Sequence, residues 1–217
     1  MLLTPQDLQR IASRTLSHYD EHAQAYWEGT RDHDVSQNVD ALLQSIEVPP
    51  PFELLDLGRG PGRDLKTFTA LGPRATGLEG SAQLAALART NSGCDVLEQN
   101  FLALELPSSH FDGVFANAVL FHVPAQELPR VLGQLQATLK PGGVLFCSNP
   151  RGRDEEGWNG GRYGAYHAPD TWFGVVAAAG FAELPGTRLP GNNGLEVDPD
   201  GRHFYVVAFG WHAVVVY

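Results

Sequence analysis

The spacing of apolar residues changes several times along the chain. In "TPQDLQRIASRTLSHYD" they fall at Leu8, Ile11, Leu16 and Tyr19, which is helical spacing, and Thr4 followed by Pro5 is a helix start. The segment "AYWEGTRDHDVSQN" keeps no period and reads as a loop. Val39, Leu42, Leu43 and Ile46 mark a second helix, and "EVPPPFE" is a linker. A division into a helical cap, 1–48, and a main domain, 49–217, follows.

Beyond the linker, short apolar runs alternate with helical stripes. "FELLDLG", "RATGLEG", "CDVLEQNF", "FDGVFANAVLF" and "GVLFCSN" read as strands. Between them come "RDLKTFTAL", a helix capped by Ser81 with Leu84, Leu87 and Ala88, and a helix opened by Pro124. That last helix has the clearest stripe: Leu128, Val131, Leu132, Leu135 and Leu139. Strand alternating with helix predicts an α/β fold whose parallel sheet is covered on both faces. The last third opens with a long polar, glycine-rich segment, "NPRGRDEEGWNGGRYGAYHAPD". A short helix follows around Trp172 to Ala179, and "FAELPG" with "RHFYVVAFGW" reads as a closing antiparallel pair.

Composition narrows the partners. The 217 residues are 43% hydrophobic with a formal net charge of -10, so the chain reads as globular and lacks the basic excess of a nucleic-acid surface. No apolar run approaches a membrane span, and the N-terminus has no signal core, which makes a cytoplasmic location the expectation. Cys94 and Cys147 form no metal pattern and read as buried free thiols. No metal is expected, and the oligomeric state is not legible.

The chemistry gathers in "LLDLGRGPGRDL". Gly58, Gly60 and Gly62 follow the first strand, where glycine lets backbone turn sharply and lets a ligand approach. Phosphate loops require a lysine that is missing here, and the dinucleotide fingerprint requires a third glycine where Arg63 stands. A tight strand-to-helix turn alone would also explain the spacing. At the second strand's end, Glu79 can accept from ribose hydroxyls, or be an ordinary exposed glutamate. At the third strand's end, Asn100 can accept from an adenine amino group and Phe101 can lie against the base. A bare turn, a ribose acceptor and an adenine reader point to an adenosine ligand without pyrophosphate, which S-adenosylmethionine fits.

The chain resembles class I S-adenosylmethionine-dependent methyltransferases over roughly residues 50–150, in "LLDLGRGPGRDL", "GLEGS", "NFLALELP", "FDGVFANAVLFHVP" and "LKPGGVLFCSNPRG". The resemblance implies a Rossmann-like doubly wound sheet of seven strands, the last antiparallel. It implies Asp56, Gly58, Gly60 and Gly62 at the methionine side, Glu79 at the ribose, Asn100 and Phe101 at the adenine, and Asn117 lining the cleft. Two residues depart from the family pattern: Arg59, where many relatives have cysteine, and Asn100, where many have aspartate.

The segments "YWEGTRDHDVSQN", "ANAVLFHVP" and "SNPRGRDEEGWNGGRYGAYH" are similar to the methyltransferase of ovothiol biosynthesis. That resemblance implies methyl transfer to an imidazole nitrogen of 5-thiohistidine, giving ovothiol A. Such a substrate calls for an arginine on its carboxylate, with Arg31, Arg151 and Arg162 as candidates, and for Asp34 or Glu156 on its ammonium group. Tyr26, Trp27, Trp158 and Tyr163 are candidate aromatic walls, and Asn149 a further substrate contact. His122, Tyr166 and His167 are the candidates for proton handling. The alternatives are methyl transfer to oxygen, carboxylate or thiol of another metabolite, and a non-catalytic module that binds the cofactor.

Overall fold

The computed structural model describes residues 2–58, 60–184, 189–197 and 204–216. Three helices precede the sheet: α1 (Pro5–Glu21), α2 (Ala23–Thr30) and α3 (Ser36–Leu43). α1 starts with a reciprocal cap, in which Thr4 Oγ1 accepts from the Asp7 N–H and the Asp7 carboxylate accepts from the Thr4 N–H. α2 is a correction, because its residues carry no helical period and read as loop. Tertiary support holds it instead: Arg63 donates to the Thr30 carbonyl at 2.9 Å from the far side of the sheet turn.

The sheet begins with β1 (Glu53–Leu57), α4 (Arg63–Leu71), β2 (Arg74–Glu79), α5 (Ala82–Ser92) and β3 (Val96–Glu98). It continues with β4 (Phe111–Asn117), α6 (Leu128–Thr138) and β5 (Leu139–Pro150). These five strands are parallel, in the order β3-β2-β1-β4-β5. The order reverses between β1 and β4, so their carboxyl ends open a crevice there. A hairpin follows, β6 (Glu155–Asn159) and β7 (Arg162–Tyr166), then α7 (Pro169–Ala178). Last come β8 (Ala182–Glu183), β9 (Leu189–Val197) and β10 (Phe204–Val216).

The expected seven strands with an antiparallel last strand are corrected in number and layout. Five strands are parallel; β10 runs antiparallel beside β5, and both β8 and β9 pair with β10. The last strand in the chain, β10, is the antiparallel one, and it lies between β5 and β8.

Both sheet faces are covered, as the alternation predicts. Leu55, Leu57, Val114 and Leu145 pack with α6 and α7, while Leu54, Phe68, Phe115 and Phe146 pack with α3 and α4. Several boundaries move. β3 ends early because Asn100 Oδ1 accepts from the Leu102 N–H and starts a single turn at Phe101–Ala103. β4 stops at Asn117, where Ala118 takes a φ of +54°. The helix expected from Pro124 starts at Leu128, and β5 runs through "KPGG". The polar segment read as irregular holds the β6–β7 hairpin, joined by Gly160 and Gly161 at φ +55° and +92°, the values of a two-residue type I′ turn. Cys147 is buried but Cys94 is half-exposed, which corrects the second thiol. Among the described residues no helix is long and apolar enough to cross a membrane.

Candidate functional site

The turn after β1 is built from three glycines with positive φ: +60° at Gly58, +54° at Gly60 and +112° at Gly62. A side chain at Gly58 would strike Val119 and come within 2.9 Å of the Phe101 ring. One at Gly60 would come within 3.1 Å of the Tyr26 ring. At Gly62 it would press on Ala88 and Asn91, so this glycine seats α4 against α5 rather than facing a crevice. Arg59 lies outside the described residues.

Glu79, buried at the end of β2, closes the turn. One carboxylate oxygen accepts the Gly60 N–H at 2.8 Å and the other accepts the Ser81 N–H at 3.0 Å. These bonds fix the orientation in which the carboxylate meets a ligand.

Above the turn lies a cavity whose empty space, with the open solvent at its mouth included, is about 760 Å³. Gly58, Gly60, Glu79, Gln99, Asn100 and Phe101 line its floor and inner end. Its roof is α1, through Ile11, Ala12, Thr15, Leu16 and Tyr19. α1 is pinned at both ends. Leu3 and Gln126 exchange two hydrogen bonds at 2.7 and 3.1 Å, while Asp20 accepts from the Ser81 hydroxyl and the Gln83 N–H at 2.6 and 3.0 Å. In its middle, the Thr15 hydroxyl accepts the Tyr163 N–H at 3.0 Å.

A second cavity, of about 930 Å³ with its open part, lies under α2 and is lined by Thr30, His33, Asp56, Arg63, Asp64 and Ser148 among others. Tyr26, Gly58, Asn117 and Ala118 line both cavities. Asn117 is held there firmly, since its Oδ1 accepts from Asn38 Nδ2 at 3.0 Å and from the Ser148 hydroxyl at 2.6 Å.

His122 borders the first cavity with both ring nitrogens engaged. Nδ1 lies 2.6 Å from the Tyr163 carbonyl, so it carries the proton, and Nε2 accepts from the Tyr19 hydroxyl at 2.8 Å. Burial, with some help from Arg162, pushes its pKa down to about 4. It is a neutral imidazole near pH 7.

The other residues singled out from the sequence fall into two groups. Tyr26, Gly58, Gly60, Glu79, Asn100, Phe101, Asn117 and His122 converge on the first cavity, and Asp56 borders the second. Asn100 brings a changed chemistry: its Oδ1 already accepts the Leu102 N–H. Outside both linings, Arg31 pairs with Asp32, Asp34 accepts the Ser36 N–H, and Glu156 accepts the Ala125 N–H. Trp27 is half-buried, Arg151 is exposed, and Trp158 packs under the Arg14 guanidinium at 4.3 Å. Tyr166 stacks on Phe121 with ring centroids 5.9 Å apart, and Tyr163 contributes main-chain groups. Asn149 Oδ1 and His167 Nε2 are buried with no hydrogen-bond partner. The residues missed are Tyr19 and the inner face of α1. Their one signal is a phenol hydroxyl on an otherwise apolar stripe.

The donor set fits an adenosine-containing ligand: a carboxylate fixed at a strand end, an aromatic edge and an open main-chain turn around one slot. Among the described residues no group of His, Cys, Asp and Glu could hold a metal ion.

Residues 55–147 match a family model described as "Methyltransferase domain". The chain is 35% identical over 119 residues to trans-aconitate 2-methyltransferase of Rhodopseudomonas palustris, covering 52% of this chain and 44% of that protein. It is 29% identical over 147 residues to malonyl-[acyl-carrier protein] O-methyltransferase of Enterobacter lignolyticus, covering 66% and 54%. The chain thus spans about half the length of these curated relatives. In structure it resembles Burkholderia thailandensis 1,6-didemethyltoxoflavin-N1-methyltransferase, solved with its substrate and S-adenosylhomocysteine. That likeness has a TM-score of 0.71 at 19% identity and covers 100% of this chain and 91% of that one.

Proposed function

We propose that this chain, whose residues 55–147 match a methyltransferase-domain model, is an S-adenosylmethionine-dependent methyltransferase acting on a small molecule. The comparisons support that enzyme class and that cofactor. The observation that carries the reading is the Gly60–Glu79 bond, which sets an open main-chain turn and a buried carboxylate around one cavity at the switch point. Glu79 would take the ribose hydroxyls, Asn100 and Phe101 the adenine, and the Gly58–Gly60 turn with Asp56 the methionine part. When bound, the cofactor supplies a methyl group on a positively charged sulfur.

The protein's contribution is alignment and exclusion of water. Tyr26, Gly58, Asn117 and Ala118 border both cavities. Within this class, our specific reading is methylation of an imidazole nitrogen of 5-thiohistidine. None of the comparisons points to that substrate; its support is the sequence resemblance. A neutral ring nitrogen needs no strong base to attack, and His122, neutral and committed on both nitrogens, offers none. The trans-aconitate likeness favours a second reading, methyl transfer to a carboxylate.

Incubation with isotope-labelled S-adenosylmethionine and an acceptor panel, followed by product mass and label position, tests both. Labelled ring nitrogen from 5-thiohistidine, with none from histidine, supports the specific reading. Labelled carboxylate on trans-aconitate supports the second. Silence with 5-thiohistidine ends the first.

A further inference from the structure

Two half-buried arginines are provided for differently: Arg63 lines the second cavity, and Arg162 stands behind Tyr19, a wall of the first. Arg63 grips the Asp64 carboxylate with two hydrogen bonds, at 2.6 and 3.0 Å. Arg162 has no carboxylate within ion-pairing distance among the described residues. Its protein hydrogen bond is a long one, Nη1 donating to the Tyr19 hydroxyl at 3.4 Å, and its guanidinium carbon stands 5.8 Å from the Tyr19 ring centroid. The groups that act on it are Tyr19, Tyr26, Tyr166, His18 and His122, none of them an aspartate or glutamate. A guanidinium withdrawn from water without a counter-charge is costly and calls for an anion.

The fold places Arg162 there deliberately. Gly160 and Gly161 make the tight turn of the hairpin, and a side chain at Gly161 would come within 2.7 Å of the His18 ring. The bare turn lets β7 slide under α1. The Tyr163 N–H then bonds Thr15 and its carbonyl takes the His122 N–H, which locks the register one residue after Arg162. The result is a planar, five-donor cation held beside Tyr19, a wall of the first cavity.

Resting on the methyltransferase reading above, we propose that Arg162 is the anchor for a carboxylate of the acceptor molecule. Of the three arginines considered for that role, Arg31 is spent on Asp32 at the surface and Arg151 is exposed. The carboxylate takes the guanidinium N–H groups not directed at the Tyr19 oxygen, whose own proton is committed to His122. The acceptor is accordingly a small carboxylic acid whose reacting atom lies on the far side of Tyr19 from its charge.

The test is calorimetry on the full chain saturated with S-adenosylhomocysteine. The probes are 5-thiohistidine, L-histidine and trans-aconitate, each beside its carboxamide. The expected result is that at least one acid binds and its amide binds about tenfold or more weakly, the scale of a charge-assisted hydrogen bond. Arg162→Gln should reduce the acid to the level of its amide, and Arg162→Lys should restore part of the difference. S-adenosylhomocysteine affinity should be unchanged in both variants, which also shows that they fold. Equal binding of acid and amide, undiminished binding in Arg162→Gln, or no binding of any acid overturns the proposal while leaving the methyltransferase reading intact. Failure of the wild-type chain to bind S-adenosylhomocysteine removes that reading and the proposal together.

Discussion

The Tyr19 hydroxyl donates its proton to Nε2 of His122 across 2.8 Å, tying the roof helix to the loop after β4. The direction is forced, because the other ring nitrogen donates to the Tyr163 carbonyl. The phenol's proton is therefore committed, and toward the cleft its oxygen can only accept. One imidazole thereby joins three elements, α1, the β4 loop and β7.

A neutral imidazole held in this way makes stability depend on pH. The folded pKa of His122 is depressed to about 4 from 6.5. Its contribution is thus fully present above the unfolded value and is lost as pH falls from about 6.5 toward 4. The size is up to about 3 kcal/mol. Urea unfolding of wild type and His122→Gln across pH 4 to 8 should give a difference that shrinks with acid over that window. A difference independent of pH would contradict the assignment.

Tyr19→Phe removes the donor to His122 Nε2 and leaves that partly buried acceptor unmatched. The expected loss is about 1–3 kcal/mol, larger than a surface substitution produces. The midpoint of urea unfolding reads it directly, and a change within about 0.5 kcal/mol would mean that water replaces the phenol.

The two thiols should separate chemically. Burial raises the Cys147 pKa to about 12, while Cys94 is half-exposed. Native protein should react with one equivalent of a thiol-reactive disulfide, and the second equivalent should appear only on unfolding.

Glu79→Gln keeps the shape of the β2 end but exchanges an acceptor-only carboxylate for an amide. The Gly60 and Ser81 N–H groups, and any ribose hydroxyls, then compete for one neutral oxygen. S-adenosylhomocysteine affinity should fall by about tenfold or more, with the circular dichroism spectrum unchanged. Equal affinity would place the ribose elsewhere.

What could be read from the sequence follows from how local each cause is. β1, α4 and the α6 stripe carry their period in consecutive residues, so the parallel core and its bare turn are legible. α2 is not, because a bond from Arg63 rather than an apolar stripe holds it. The hairpin was signalled by Asn159, Gly160 and Gly161, but the charged and glycine-rich residues around it masked the alternation. The place of Tyr19 over the cleft depends on contacts 103 residues away, with His122, which no periodicity records. The layout of β8, β9 and β10 likewise depends on pairings set outside any single run of residues.

Calorimetric titration of S-adenosylhomocysteine into wild type and Gly60→Val tests the central claim most directly. Gly60 sits at φ +54° with Tyr26 close by, so a branched side chain both strains the turn and presses on the Tyr26 ring that lines the cavity. Wild type should bind one equivalent, and Gly60→Val should bind none while keeping its fold. Equal affinity in the two proteins, or no binding by wild type, would contradict the claim that this turn cradles a methyl donor.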